Sequence, residues 1–241
     1  MIPTMSNEYF RFKQFMVRQE QCAMKVCTDA CILGAWFSEK IPIGARVLDL
    51  GSGTGLLMLM LAQKNNLDIQ GIELDLLCFE QLQENLSRSR WRKRLRAFPG
   101  DARNYSFPHK YDFIISNPPF FEHDLPSASE ARNLARHAKA LSGEELLQTI
   151  DANLDSQGTF GLLLPYDRAN HFEQQASARN FYVIERLSIQ SVNTHGPFRS
   201  ILQFSRNREN FVPESELTIY GADGQYSAEF TELMQEFYLN L

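Results

Sequence analysis

From residue 45 to residue 178, short apolar runs alternate with helix-like segments. That alternation restricts the fold more than any other property of the chain. The runs 45–50, 69–72, 95–98, 111–116 and 159–164 each read as a buried strand. Between them, 56–63, 75–90, 142–154 and 167–178 carry helical patterns. Asp75 is placed to cap one of these, and Ser142 with Glu145 forms a capping box for another. Such alternation predicts an α/β fold, a doubly wound and mostly parallel sheet with helices on both faces. Two further runs, 182–189 and 200–204, predict an antiparallel pair closing the sheet across the turn at 193–197. A short strand over 216–220 and an amphipathic helix over 226–238 complete the chain. Ahead of the first strand, 1–21 reads as a loose strand or turn that packs Tyr9, Phe10, Phe12 and Phe15 on the body. Thr28-Asp29 is then expected to cap an apolar helix over 30–37.

Length and charge narrow the function. At 241 residues the chain can build one sizeable core without covalent staples. No run reaches membrane-spanning length and the amino end lacks the apolar stretch of a secretion signal, so a cytoplasmic protein is expected. Cys22, Cys27, Cys31 and Cys78 show no secreted disulfide framework, and their spacing lacks CxxC or a nearby histidine. Small buried hydrophobes are the expected role, with no metal. A net charge of -5 argues against indiscriminate binding to nucleic acid. Basic residues nevertheless cluster at 88–96, in SRSRWRKRLR, and again at Arg11, Lys13, Arg18 and Lys25. Either cluster could track phosphate or simply be a solvated surface.

Ligands of doubly wound sheets bind beyond the carboxyl ends of the strands. The strand at 111–116 runs into Asn117-Pro118-Pro119-Phe120, where consecutive prolines stop any ladder and hold Asn117 extended. The amide oxygen of Asn117 and the carbonyl of Pro118 then form a rigid acceptor pair beside an aromatic ring. That arrangement suits gripping a planar NH2 group. The first strand runs into LDLGSGTG at 48–55. Its glycines admit a close ligand, but Leu56 breaks the dinucleotide fingerprint and no P-loop lysine follows. Asp49 would repel a pyrophosphate there and welcome a cation. Glu73 ends the second strand, 22 residues after Gly51, where an acid can grip both ribose hydroxyls. Asp101-Ala102 ends the third, suited to an adenine amino group. A cationic head, a ribose and an adenine together describe S-adenosylmethionine.

These residues resemble the class I S-adenosylmethionine-dependent methyltransferases over about 45–205, through LDLGSGTG, Glu73, GDA at 100–102 and NPPF. This version of the last motif belongs to enzymes that methylate an exocyclic or amide nitrogen. A narrower resemblance spans nearly the whole chain. Phe12-Lys13-Gln14-Phe15, Cys22-Ala23-Met24-Lys25-Val26 with Thr28-Asp29, Leu33-Gly34-Ala35-Trp36, Arg132-x-x-Ala135-Arg136-His137 and Phe237-Tyr238-Leu239 are similar to the bacterial valine-tRNA adenine-N6 methyltransferases. Those act on the adenine just 3′ of the anticodon. Cys27 departs from the glycine common at that position.

The resemblance implies a single Rossmann-like methyltransferase domain over 1–241, with an amino-terminal extension and cofactor-closing helix (1–44), a core (45–206) and a carboxyl-terminal strand and helix (207–241). It implies that Gly51, Ser52, Gly53 and Gly55 cradle the methionine part of the cofactor with Asp49 behind them. Glu73 would hold the ribose, Asp101 and Ala102 the adenine, and Thr28 and Asp29 would close over the methionine end, with Asn117 alongside. Asn117, Pro118, Pro119 and Phe120 would hold the target base. Lys25, Arg132, Arg136, His137 and Lys139 would contact the tRNA, in preference to the run at 88–96. Competing expectations are a protein glutamine amide, guanine N2 of ribosomal RNA, adenine N6 of DNA, or a non-catalytic role. A glutamine methyltransferase usually carries a helical domain before the fold and favours tyrosine in place of Phe120. A DNA enzyme generally adds a target-recognition region.

Overall fold

The computed structural model describes residues 8–119, 141–192, 194 and 196–241. Its centre is an eight-stranded sheet in the order β10-β8-β9-β7-β6-β3-β4-β5. The strands are β3 (Arg46–Leu50), β4 (Asp68–Glu73), β5 (Leu95–Pro99), β6 (Tyr111–Ser116), β7 (Leu154–Pro165), β8 (Tyr182–Val192), β9 (Arg199–Ser205) and β10 (Glu214–Tyr220). β3 pairs in parallel with β4 on one side and β6 on the other, and β5 and β7 extend the two halves in parallel. β9 runs antiparallel between β7 and β8, and β10 lies parallel to β8 at the edge. The predicted closing pair is therefore present, with β9 as the reversed strand. The order of the strands reverses between β3 and β6, so a crevice opens beyond their carboxyl ends.

Two apolar layers sandwich the sheet. On one face pack α1 (Thr28–Ser38), α2 (Leu56–Lys64), α3 (Leu76–Arg88) and α6 (Ala228–Met234), meeting Val47, Ile69, Phe113 and Ile115. On the other pack α4 (Gly143–Asn153) and α5 (Tyr166–Ser177), meeting Leu48, Leu50, Ile114 and Phe160. Successive strand residues alternate between the layers, as the two-residue period of a strand requires. Seven residues of α2 are buried, because it lies between the sheet and α1. A short hairpin of β1 (Tyr9–Arg11) and β2 (Met16–Arg18) sets Phe12 and Phe15 into the first layer.

Three local expectations need correction. The cap of α1 is Cys27, not Thr28-Asp29; Cys27 makes no capping bond and Asp29 sits inside the first turn. Cys27 has φ -128°, an extended backbone open to any residue, so its side chain strains nothing there. The last helix is shorter than 226–238, because the chain turns after Met234 to bridge Tyr238 to Phe12. Cys22 and Cys78 are buried but not free: they are joined in a disulfide, while Cys27 and Cys31 are free. By contrast Asp75 caps α3 through the amide of Cys78, and the Ser142–Glu145 capping box opens α4.

Candidate active site

The glycine turn after β3 is stitched to the end of β4. The amides of Gly51 and Ser52 both donate to the Ile72 carbonyl, at 3.1 and 3.0 Å. Glu73 Oε2 accepts from the Gly53 amide at 2.8 Å. The next strand joins through the Gly100 amide, which donates to the Glu73 carbonyl at 2.9 Å. Gly51 and Gly53 have φ of 73° and 54°, the left-handed region, and a Cβ on either would point into open space. The turn therefore borders an open groove at the switch point. Asp49 lies beneath it, fully buried, with neither carboxylate oxygen meeting a hydrogen-bond donor among the described residues. Burial first, and the neighbouring Glu73 second, push its carboxyl up to about 8. Burial also holds Glu73 above the ordinary glutamate range. A buried acid in this position disfavours an anionic ligand and suits a cationic one.

Asp101 stands just beyond β5 with a partner that sequence reading missed. Arg103 binds its carboxylate through Nε at 2.9 and 3.0 Å and through Nη2 at 2.6 Å, and reaches Glu145 Oε1 at 3.0 Å. Arg103 holds Asp101 below the usual carboxylate range, so it stays an acceptor. The local signal was there, since Arg103 lies two residues on. Ala102 follows at the mouth of a neighbouring cavity with Arg103 and Tyr105.

The prolines end β6 as expected, and Asn117, Pro118 and Pro119 line a cleft of about 980 Å³. Asn117 Nδ2 donates to the Met24 sulfur at 3.7 Å, which leaves Oδ1 as the acceptor end of the amide. The base of the strand end is fastened by Ser116 Oγ, which donates to the Leu50 carbonyl at 2.7 Å. Lys25 and Asp29 line the same cleft, together with Arg168, His171 and Arg199. Asp29 Oδ2 accepts from Arg199 Nε at 2.9 Å, an ion pair across 170 positions of sequence that no local pattern could reveal. Asp29 thus faces the Asn117 cleft, and Thr28 is half-buried beside it in the first turn of α1. Phe120, Arg132, Arg136, His137 and Lys139 lie outside the described residues.

The other basic stretches are largely spent on structure. Arg94 donates to the carbonyls of Ala62, Asn65 and Leu67, closing the carboxyl end of α2. Arg88 pairs with Glu84, Arg96 with Asp68 and Arg18 with Glu84. The run at 88–96 enters β5 at its amino end, opposite the crevice. Among the described residues no cluster of His, Cys, Asp and Glu could hold a metal.

Comparison with known proteins identifies the family. Residues 28–183 match the family model described as Methyltransferase small domain. The tRNA1(Val) (adenine(37)-N6)-methyltransferase of Dyadobacter fermentans is 42% identical over 97% of this chain and 98% of that protein. Its counterpart in Bacteroides thetaiotaomicron is 40% identical, covering 98% of this chain and 100% of its own length. Among solved structures, a protein of Agrobacterium tumefaciens described as a predicted O-methyltransferase superposes with a TM-score of 0.68 at 15% identity, covering 86% of this chain and 95% of that one. P. horikoshii TYW2, solved in complex with MeSAdo, gives 0.58 at 14% identity, with 82% of this chain and 70% of that chain covered.

Proposed function

Because this chain belongs to the methyltransferase small domain family, and within it to the tRNA1(Val) (adenine(37)-N6)-methyltransferases, we propose that it methylates N6 of the adenine 3′ of the anticodon of a valine tRNA, using S-adenosylmethionine. The observation that carries this reading is the position of Asn117-Pro118-Pro119 beside the glycine turn, where β6 pairs with β3 and the strand order reverses. The groove there fits the cofactor: Asp49 lacks a donor, Gly51 and Gly53 leave open space, and Glu73 and Asp101 are acceptors. Gly51, Ser52, Gly53 and Gly55 would hold its methionine part, Glu73 its ribose, and Asp101 with Ala102 its adenine. Bound there, S-adenosylmethionine supplies an electrophilic methyl group on a sulfonium sulfur.

The remaining chemistry belongs to this chain. The N6 lone pair of adenine is delocalised into the ring and is a poor nucleophile. Asn117 Oδ1 and the Pro118 carbonyl would accept its two N–H groups and favour a pyramidal nitrogen. That contribution is positioning and electrostatics, without a covalent intermediate. The contact of Asn117 Nδ2 with the Met24 sulfur supports that sense of the amide. Phe120 would stack the base, worth on the order of 1–3 kcal/mol. A base in an anticodon loop is already unpaired, so bringing it out of its stack is cheap. Lys25, Arg132, Arg136, His137 and Lys139 would contact phosphates of the anticodon stem-loop. Such a substrate puts the enzyme's work in the cytoplasm, and among the described residues no helix is long and apolar enough to cross a membrane.

The test is tritium transfer from labelled S-adenosylmethionine into bulk tRNA from a strain lacking this gene, followed by nucleoside analysis. Label is expected in N6-methyladenosine. Asn117→Ala should lower the rate by roughly 10²-fold or more while cofactor affinity stays within a few-fold. Label in ribosomal RNA or protein instead would overturn the substrate and keep the cofactor.

A further inference from the structure

The segment 19–27 leads from α3 to the Asn117 cleft. Its start is clamped by Asn85 of α3, which accepts from the Arg18 amide at 2.9 Å and donates to the Arg18 carbonyl at 2.8 Å. The same side chain donates to the Thr54 carbonyl of the glycine turn at 2.9 Å, so strap and turn share one anchor. Gln19 closes the segment on itself, its Oε1 accepting from the Val26 amide at 2.8 Å and its carbonyl from Lys25 Nζ. At the far end Met24 touches Asn117, and Ala23 to Cys27 line the cleft. The middle is fastened by the disulfide from Cys22 to Cys78, and Cys78 lies in the first turn of α3, five residues after Glu73. The strap thus spans from beside the ribose acid, past the glycine turn, to the acceptor amide.

We propose that Cys22 and Cys78 are a reversible redox site, and that their disulfide latches this strap over the cofactor groove and slows cofactor exchange. The proposal rests on the reading of that groove as the S-adenosylmethionine site. A protein working in a reducing compartment seldom carries a permanent disulfide; where one forms it is commonly transient or redox-sensing. The chemistry is thiol–disulfide exchange with a low-molecular-weight disulfide. One thiolate attacks that disulfide, forming a mixed disulfide and releasing one small thiol. The second cysteine thiolate then displaces the other small thiol and forms the Cys22–Cys78 bond. Two electrons pass from the cysteines to the small disulfide, and the two protons leave on the small thiols. A dithiol reverses the reaction. Cys22 and Cys78 are both buried, so exchange requires the strap to lift. Cys27 is a poor competitor, because burial and Asp29 push its thiol up to about 12.

The experiment uses the full chain loaded with tritiated S-adenosylhomocysteine and chased with unlabelled compound, after treatment with oxidised glutathione or with dithiothreitol. Thiols counted under denaturing conditions should number two after oxidation and four after reduction. The oxidised protein should release label at least tenfold more slowly. Cys78→Ser and Cys22→Ser should each release at the fast rate under both treatments; two variants are used so that one folding failure does not remove the control. Equal release rates in protein whose thiol count has changed would overturn the latch. So would four thiols persisting under oxidised glutathione. Failure of both forms to bind would overturn the cofactor reading and the latch with it. Binding without tRNA methylation would overturn the substrate and leave the latch standing.

Discussion

Asp49 is fully buried, its oxygens lack a donor, and its carboxyl is pushed up to about 8. Between the ordinary aspartate value of about 4 and that raised value, it is protonated in the fold and ionised in the unfolded chain. The group therefore withdraws stability from the free protein as pH rises from about 4 to about 8. A cationic ligand in the groove reverses this by favouring the carboxylate. Binding of S-adenosylmethionine between about pH 6 and 7 should release close to one proton, and affinity should rise up to about tenfold per pH unit toward 8. Calorimetry in buffers of differing ionisation enthalpy measures the proton directly, and Asp49→Asn should abolish its release. Proton release unchanged in the variant would sink the assignment. Asp49, Glu73 and Asp101 were legible as strand-end acids. That Arg199 holds Asp29 was not, because an ion pair between residues 170 positions apart leaves no trace in local sequence.

The elements were legible wherever their stop signals are local. Asp75 and Ser142 each bond an amide three positions on, a contact that the chain makes with itself before any tertiary packing. Ser142→Ala should accordingly cost about 1 kcal/mol in urea unfolding, with little change in the slope. A loss below a few tenths would mean that Arg103 on Glu145, rather than the cap, holds the amino end of α4. The cap of α1 was misjudged because Asp29 lies inside the first turn, where its Oδ1 accepts from the Ala30 amide and its Oδ2 from Arg199 of β9. The strand β7 is longer than 159–164, since its first residue, Leu154, pairs with Tyr111 of β6. Pairing of that kind depends on a neighbour, not on local sequence.

Among the described residues the basic side chains divide by the end of the sheet they occupy, with Lys25, Arg168 and Arg199 at the Asn117 cleft. Arg136 follows the Asn117 motif in sequence, whereas the run at 88–96 sits at the amino end of β5. Arg136→Ala should weaken tRNA binding more than Arg92→Ala, measured by filter binding across a salt series; the reverse order would show that RNA approaches the other end. Arg94→Ala should instead cost about 1–3 kcal/mol of stability, since it strips three carbonyls of a charged donor. The disulfide joins positions 56 apart, so by the chain-entropy account the oxidised protein should be more stable by about 4 kcal/mol. Comparing denaturant midpoints with and without reductant tests that.

What the sequence by itself determined is the alternation of strands and helices, and the residues standing at the strand ends. Both follow from the side-chain period and from backbone chemistry: prolines stop β6, and glycines turn the chain after β3 whatever surrounds them. Tertiary structure alone decided which strand ends are neighbours. It put β3 beside β6 although β4 and β5 come between them in sequence. The same packing drew Cys22 onto Cys78 and Arg199 onto Asp29. These pairings depend on how buried apolar layers stack, and that free energy is shared by residues far apart in the chain.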